Sequence, residues 1–491
     1  MARILIRAGK DPFTAVAPET TLTQDVFNSN SGNYLFQHSV WKALDVAPHE
    51  LIANSTLSER RAAGSQDARR ISDEFDHFVI PMANSFRADF ADKLENLTTL
   101  IEQLTIPATV IGIGAQAPAD RSFGPLADVE DATRRFVAAV LDRSASIGVR
   151  GEFTRDFLVH LGFPADSIDV IGCPSLFLHG PDLQVHKRLD SITADAALAL
   201  NLTPEVPGIG TFATDQAARH PNLTYIGQDA HDLRLLLWGT AHPHVDDPLV
   251  PTHLRHRLYQ ENRMRLFVDT WTWYDFLARQ DFAYGTRFHG NVAALLAGTP
   301  AMMLAHDSRT LELAEYHQMP HRVQPRFDEP VSVEELYAAT DPTAFNEALP
   351  DRFGRYTAFL ERNGLEHRWQ PGSDGSQFDT RLEQASFPPA VQTLAAPDLS
   401  EVAARLDWLR HAMVIDMSRH PKRYDYPFNT PTYQGAGSRH ARLADQRDEK
   451  QRTQQRRIDE LSARLERIER TTVRGFSARV LRRLRRMFGR G

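Results

Sequence analysis

Four consecutive residues, Thr286-Arg287-Phe288-His289, place a guanidinium and an imidazole between two apolar stretches. Phe282–Gly285 reads as a buried strand and Gly290–Ala297 as a helix stopped by Gly298, so the cluster falls where a strand ends and a helix begins. In extended backbone alternate side chains share a side, which puts Arg287 and His289 together and turns Phe288 to the core. The helix that follows offers unpaired backbone N–H groups, among them those of Gly290 and Asn291. A guanidinium, an imidazole and a helix N-terminus at one point make a site for phosphate or carboxylate, and the imidazole can pass a proton near neutral pH. The pair can equally be a surface ion pair and a helix cap; what brings the anion site level with that reading is its place at a strand's carboxyl end, where open α/β sheets bind ligands.

Other positions carry weaker signals. Arg150 ends a strand and precedes a helix, so it either adds a second positive charge to the site or pairs with Glu152 or Asp156. Asn33 sits in a Ser-Gly-Asn turn ahead of a helix, where N-capping competes with ligand contact. Gln116 follows Gly112 and Gly114, a spacing that permits close ligand approach or a tight turn. Asp307 follows a strand and either meets sugar hydroxyls or caps the helix Ser308–Tyr316. Trp271, Trp273 and Tyr274, at adjacent helical positions, read as packing rather than a sugar platform. Cys173 reads as a small buried residue. His242 and His244 have no further ligands nearby in sequence, and no metal site is expected. A Walker loop and a complete GxGxxG are absent.

These residues need a frame, and the chain supplies one. Apolar runs at Arg3–Arg7, His77–Pro81, Thr109–Gly114, Ser146–Val149 and Asp169–Gly172 alternate with helical patterns such as Ala132–Leu141 and Phe153–Leu161. After a polar connector at Gly180–Asp190 the rhythm restarts at Ala197–Pro204 and continues through Leu223–Ile226, Leu233–Trp238, Asp281–Gly285 and Ala301–Ala305. Strands alternating with helices predict parallel sheets covered on both faces, and two such units predict two domains facing a cleft. The boundaries expected are 1–185, 190–335 carrying the Arg-x-His motif, an irregular and helical extension at 336–439, and a coiled-coil segment with a basic tail at 440–491. Residues Trp369–Ser400 read as a long connector, followed by an amphipathic helix through Val402, Leu406, Leu409 and Met413.

Composition limits the class of protein. The 491 residues are 42% hydrophobic and 24% charged, ordinary for a folded globular chain of several domains. Net charge is −7, yet the stretch from Arg470 onward holds eight arginines and no acid, so the remainder carries −15. An acidic body does not suit general nucleic-acid binding. One cysteine allows no intrachain disulfide. No apolar run reaches the length of a signal peptide core or a spanning helix, so a cytoplasmic location is expected. In the tail, Ile458, Leu461, Leu465 and Ile468 keep the three-and-four spacing of a coiled-coil seam through 455–470, readable as a homo-oligomer contact or a solvated single helix. Phe476, Val480, Leu484 and Phe488 form an apolar stripe among arginines through 474–490, readable as a peripheral anchor on an anionic membrane surface, a disordered tail or a helix docked on the acidic body.

The run GTRFHGNVAALLAGTPAMML at Gly285–Leu304 resembles the hallmark of the polysaccharide pyruvyl transferase family, an Arg-x-His-Gly turn opening a small-residue helix that ends in Gly-x-Pro and a buried strand. The resemblance extends to HDSRTLELAEYHQMP after it and to IGVRGEFTRDFLVHLGF, IGIGAQAP and NSGNYLF before it, touching most of Arg3 to about Pro320. It implies two Rossmann-like domains in a GT-B-like arrangement and transfer of a pyruvyl group from phosphoenolpyruvate, a co-substrate with no cofactor besides, onto sugar hydroxyls of a glycan or a lipid-linked glycan precursor. By that motif Arg287 would grip the donor and His289 would act as acid or as phosphate ligand. The chain departs from the family's pattern at Asn33, where many relatives carry an acid, and at Met82–Arg87, where many have a glycine-rich turn. A nucleotide-sugar glycosyltransferase and a non-catalytic glycan-assembly scaffold are the alternative readings.

Overall fold

The computed structural model describes residues 1–54, 57–60, 64–118, 120–396 and 399–412. The proposed coiled-coil segment 455–470, the basic run 474–490 and Met413 lie outside the described residues.

Two parallel sheets organise the described chain. The first is built from β1 (Arg3–Ile6), β2 (Glu50–Ala53), β3 (His77–Pro81), β4 (Asn84–Phe86), β5 (Ala108–Ala115), β6 (Ile147–Val149) and β7 (Ile168–Val170). Its order is β2-β1-β3-β5-β6-β7, with β4 paired to the end of β5. The second contains β8 (Leu198–Asn201), β9 (Leu223–Gly227), β10 (Met264–Leu266), β11 (Phe282–Gly285), β12 (Ala301–Ala305) and β13 (His321–Val323), in the order β10-β9-β8-β11-β12-β13. Counted from β8 that is 3-2-1-4-5-6, the doubly wound order whose direction reverses between the first and fourth strands. In the first sheet the reversal lies between β1 and β3. Ligands bind beyond the carboxyl ends of strands at such reversals, which directs attention to Arg7 and Asn84 in one half and to Asn201 and Arg287 in the other.

Alternation along the strands explains why both faces are covered. Leu198, Leu200, Phe282, Tyr284, Met302 and Leu304 enter one core layer, while Ala199, Ala283, Ala301, Met303 and Ala305 enter the layer shared with Val292 and Leu295 of the helix Phe288–Leu296. The small residues on that face let the site-bearing helix lie close to the sheet. In the first sheet Leu5, Phe78, Ile80 and Val110 face one layer and Ile4, Ile6, Val79 and Ile111 the other.

Two stretches differ from expectation. Leu233–Trp238 belongs to a helix, Ala230–Trp238, not to a strand-like run: Asp229 caps its start by accepting the His231 and Asp232 N–H groups, and Gly239 closes it in left-handed backbone at φ 74°. The stretch after Glu335 is more ordered than its weak rhythm implies. A helix Thr343–Arg362 lays Phe353, Tyr356, Phe359 and Leu360 against Ile4, Val79 and Ile111 of the first sheet. Within the expected connector Trp369–Ser400 there is a short helix, Ser376–Glu383, and Val391 pairs with Leu266 at the edge of the second sheet.

Candidate active site

The strand-to-helix turn is fixed by an amide pair. Asn201 ends β8 directly opposite Gly285. Its Oδ1 accepts the Arg287 N–H at 2.9 Å, and its backbone oxygen accepts the Thr286 N–H at 2.9 Å. A Cβ on Gly285 would stand 1.7 Å from that same oxygen, and the φ of 145° is one that only glycine adopts comfortably. Asn291, fully buried, donates from its side chain to the carbonyls of Gly285 at 3.1 Å and Arg287 at 3.0 Å, so it ties the turn from the helix side; its backbone N–H, expected to be free for an anion, is also taken by the Arg287 carbonyl at 3.3 Å. Gly290 is a close-approach position: a Cβ there would come within 2.7 Å of both Asn201 and Gln228.

This turn opens onto a cavity of about 320 Å³ between the two sheets. Arg7, Arg87, Lys93, Arg150, Arg287 and Arg309 line it together with His289, and among the described residues no carboxylate lines it. Four of the cations have acidic partners: Arg7 with Glu59, Arg87 with Asp89 at 3.3 Å, Arg287 with Asp229 at 2.6 Å, and Arg309 with Asp307 at 3.3 Å. Among the described residues Arg150 has none within ion-pair distance, although the charge of the buried Glu312 favours it from further away. Its neighbours Glu152 and Asp156 pair with Arg155 instead, which removes the ion-pair alternative for Arg150. Arg150 is 1% exposed, donates from Nε to the Gly112 carbonyl at 2.6 Å and faces the Phe36 ring at 5.8 Å. A buried guanidinium without a counter-ion is costly, and a bound anion is the ordinary remedy.

Arg287 is held differently. Besides Asp229 it donates from Nε to the Leu202 carbonyl at 2.8 Å. Burial disfavours its charge, but Asp229, with Asp232 behind it, outweighs burial and keeps it above the ordinary arginine value. Burial, with Asp229 adding to it, pushes the Asp232 carboxyl up to about 7. The pair Asp229–Arg287 leaves the guanidinium partly neutralised and fixed in direction.

His289 lies in the first turn of Phe288–Leu296, against Gly32 at the start of the helix Gly32–Leu44, so two helix N-termini meet at the cavity. Burial, and then the charges of Arg150 and Arg309, hold the imidazole well below its usual pKa. The ligand-free protein therefore carries it neutral. Its Nε2 stands 3.7 Å from Sγ of Cys173, a buried residue whose backbone N–H donates to Nε2 of His317 at 2.8 Å.

The remaining sequence-derived positions separate into those at the cavity and those behind it. Asn33 lines the cavity, but its amide donates to the carbonyls of Phe27 at 3.2 Å and Asn28 at 3.1 Å and does not cap a helix. Gln116 and Asp307 stand behind the wall. Asp307 caps the helix Ser308–Tyr316 by accepting the Thr310 N–H at 2.8 Å, and Gln116 bridges it to Asn84, which does line the cavity. Trp273 and Tyr274 are buried in the core. Among the described residues no group of histidine, cysteine and acidic side chains is placed to hold a metal. Sequence reasoning missed Asp229, Arg309, Arg87, Lys93 and Asn84. The aspartate had a readable signal, the Asp-x-x-Asp cap before the apolar run at Leu233.

The fold is α/β, with a cavity lined by cationic side chains between two parallel sheets. Compared with known families, residues 30–308, more than half of the sequence, match the one described as polysaccharide pyruvyl transferase. The chain belongs to that family, and so to the transferases. No curated protein matches it. Among solved structures it is similar to S. aureus MnaA with UDP, at 9% identity and TM-score 0.35, over 89% of this chain and 100% of that one. It is also similar to the UDP-GlcNAc 2-epimerase of Methanocaldococcus jannaschii in complex with UDP-GlcNAc and UDP, at 12% identity and TM-score 0.38, over 73% and 99%. A third is Anabaena Alr3699/HepE with UDP and glucose, at 12% identity and TM-score 0.33, over 78% and 99%. Likeness at this level carries no functional information.

Proposed function

We propose that the protein moves a pyruvyl group from phosphoenolpyruvate to sugar hydroxyls of a polysaccharide or its precursor. The observation that carries this reading is the cavity wall itself: among the described residues, six cationic side chains, no carboxylate, and an arginine at its base with no acid within ion-pair distance. Phosphoenolpyruvate brings a phosphate and a carboxylate on three carbons, and Arg150, Arg309 and the N-terminus of the helix Phe288–Leu296 suit such a compact anion. Arg287, already committed to Asp229, supplies direction more than net charge.

The neutral state of His289 gives the donor a second role. An anion that offsets Arg150 and Arg309 removes part of what holds the imidazole down, so donor binding favours its protonation. In this reading the imidazolium then gives its proton to the methylene carbon while a sugar oxygen bonds to the enol carbon, and the hydroxyl's proton returns to the imidazole. A second hydroxyl then displaces phosphate, which leaves with that hydroxyl's proton, and the ketal closes. Burial of the reacting atoms limits competing attack by water.

Among the described residues no helix is long and apolar enough to cross a membrane. We place the protein in the cytoplasm, held at the inner face of the membrane by the basic run 474–490 near lipid-linked acceptors. Deleting Thr471–Gly491 should move it from the membrane to the soluble fraction.

The activity test is incubation with phosphoenolpyruvate and nucleotide-, lipid- or oligosaccharide-linked acceptors. Equal amounts of phosphate and acceptor-bound pyruvate are expected. Stabilisation by a nucleoside diphosphate, with no turnover across the panel, would favour a glycosyltransferase instead.

A further inference from the structure

One group in the cavity wall does not fit an anion. Asn84, in β4, is 8% exposed, and its side-chain oxygen has no hydrogen-bond partner. The direction of that amide is fixed from behind. A carboxylate only accepts, so Asp307 at the end of the series must receive the amide nitrogen of Gln116, and Nε2 lies 3.5 Å from its Oδ2. Gln116 therefore presents its oxygen to Asn84, whose Nδ2 donates to it. Turning either amide over would set two oxygens face to face. Asp307 stays ionised at neutral pH: burial opposes its charge, but Arg309, His306 and the Thr310 N–H outweigh burial and keep its pKa below the ordinary value. What remains without a partner is the buried Oδ1 of Asn84, an acceptor in a residue that lines a wall otherwise rich in donors.

We propose that Asn84 Oδ1 receives a hydroxyl of the acceptor sugar and so helps to select it. The assignment rests on the donor reading given above. A phosphate or carboxylate oxygen would be repelled by Oδ1, and ionised phosphoenolpyruvate has no N–H or O–H to give, so the donor molecule cannot satisfy it. A sugar can. An amide oxygen is too weak a base to take the proton, which makes Asn84 a binding residue that orients the hydroxyl and not the group that deprotonates it. Because Asn84 and Gln116 come from the first sheet's side and Asp307 from the second, the contact exists only while both halves hold this arrangement.

The experiment compares the full chain with Asn84→Ala and Gln116→Leu, using phosphoenolpyruvate and a panel of methyl glycosides. The alanine variant should keep its melting temperature and its phosphoenolpyruvate affinity while the KM for the best glycoside rises about tenfold, the scale of one buried hydrogen bond. Gln116→Leu keeps Asn84 but frees it to turn, and should raise the same KM by a smaller factor. An unchanged glycoside KM in Asn84→Ala, or a rise confined to phosphoenolpyruvate, overturns the assignment and leaves Asn84 facing water or the donor. Calorimetry of glycoside binding without donor separates this from the wider reading. If the wild type shows no affinity for phosphoenolpyruvate the donor reading fails, whereas a loss of glycoside affinity in Asn84→Ala still supports the hydroxyl contact.

Discussion

Arg150→Met removes the charge at the base of the cavity while nearly keeping the side chain's length. In the ligand-free protein the guanidinium has one short hydrogen bond, to Gly112, a second at 3.4 Å to Met82, and among the described residues no carboxylate within ion-pair distance. Losing those contacts costs about 1–3 kcal/mol, and relief from burying an uncompensated charge is of order several kcal/mol. The variant should thus unfold at the same temperature as the wild type or higher. Donor binding should move the other way. A guanidinium fork on a phosphate or carboxylate is worth about 3 kcal/mol, so Kd for phosphoenolpyruvate should weaken about 150-fold. At a donor concentration near 100 times the wild-type Kd, stabilisation would fall from about 2.7 to about 0.3 kcal/mol. Titration calorimetry reads the affinity and thermal melts read the ligand-free stability. A variant that melts lower and still binds the donor with unchanged Kd would make Arg150 a structural brace and refute the reasoning.

Three further outcomes follow from the same geometry. Gly32→Ala would bring a Cβ to 2.8 Å from that of His289, so kcat should drop at least tenfold with little loss of fold, checked by turnover beside circular dichroism. Asp229→Asn keeps a helix-capping side chain but strips Arg287 of its counter-charge; equilibrium denaturation should show a loss of about 3–5 kcal/mol, and a loss below 1 kcal/mol would mean that the pair is only superficial. Burial, followed by Arg352 and Arg150, lowers His317 to about 3, so the unfolded chain binds a proton below about pH 6.5 that the folded chain refuses until about pH 3. Stability should therefore fall as pH drops through that window, and His317→Gln should flatten the slope by up to about 1.4 kcal/mol per pH unit in acid denaturation series.

The legible part of this protein is what local pattern controls. The Arg-x-His turn, its helix and the small residues that let the helix approach the sheet lie within twenty consecutive residues, so spacing alone located them. Parallel sheets were readable because buried strands leave apolar runs between helical patterns. Leu233–Trp238 misled because an almost wholly buried helix also reads as an apolar run; the Asp229 cap and Gly239 stop were the signals that distinguish it. Partners across the fold left no mark. Asp229 meets Arg287 across 58 positions, and Gln116 meets Asp307 across 191, so neither pairing follows from spacing. Nothing in the spacing of Arg87, Lys93 and Arg309 shows that the two sheets turn them onto one cavity.

Running the reaction in heavy water tests the central claim most directly, because it follows the proton that His289 is asked to deliver. With phosphoenolpyruvate and a competent acceptor, the product should carry one deuterium in each pyruvyl methyl group, with one phosphate released per ketal. Transfer of a sugar from a nucleotide donor, or phosphate release with no pyruvyl group on the acceptor, would contradict the account.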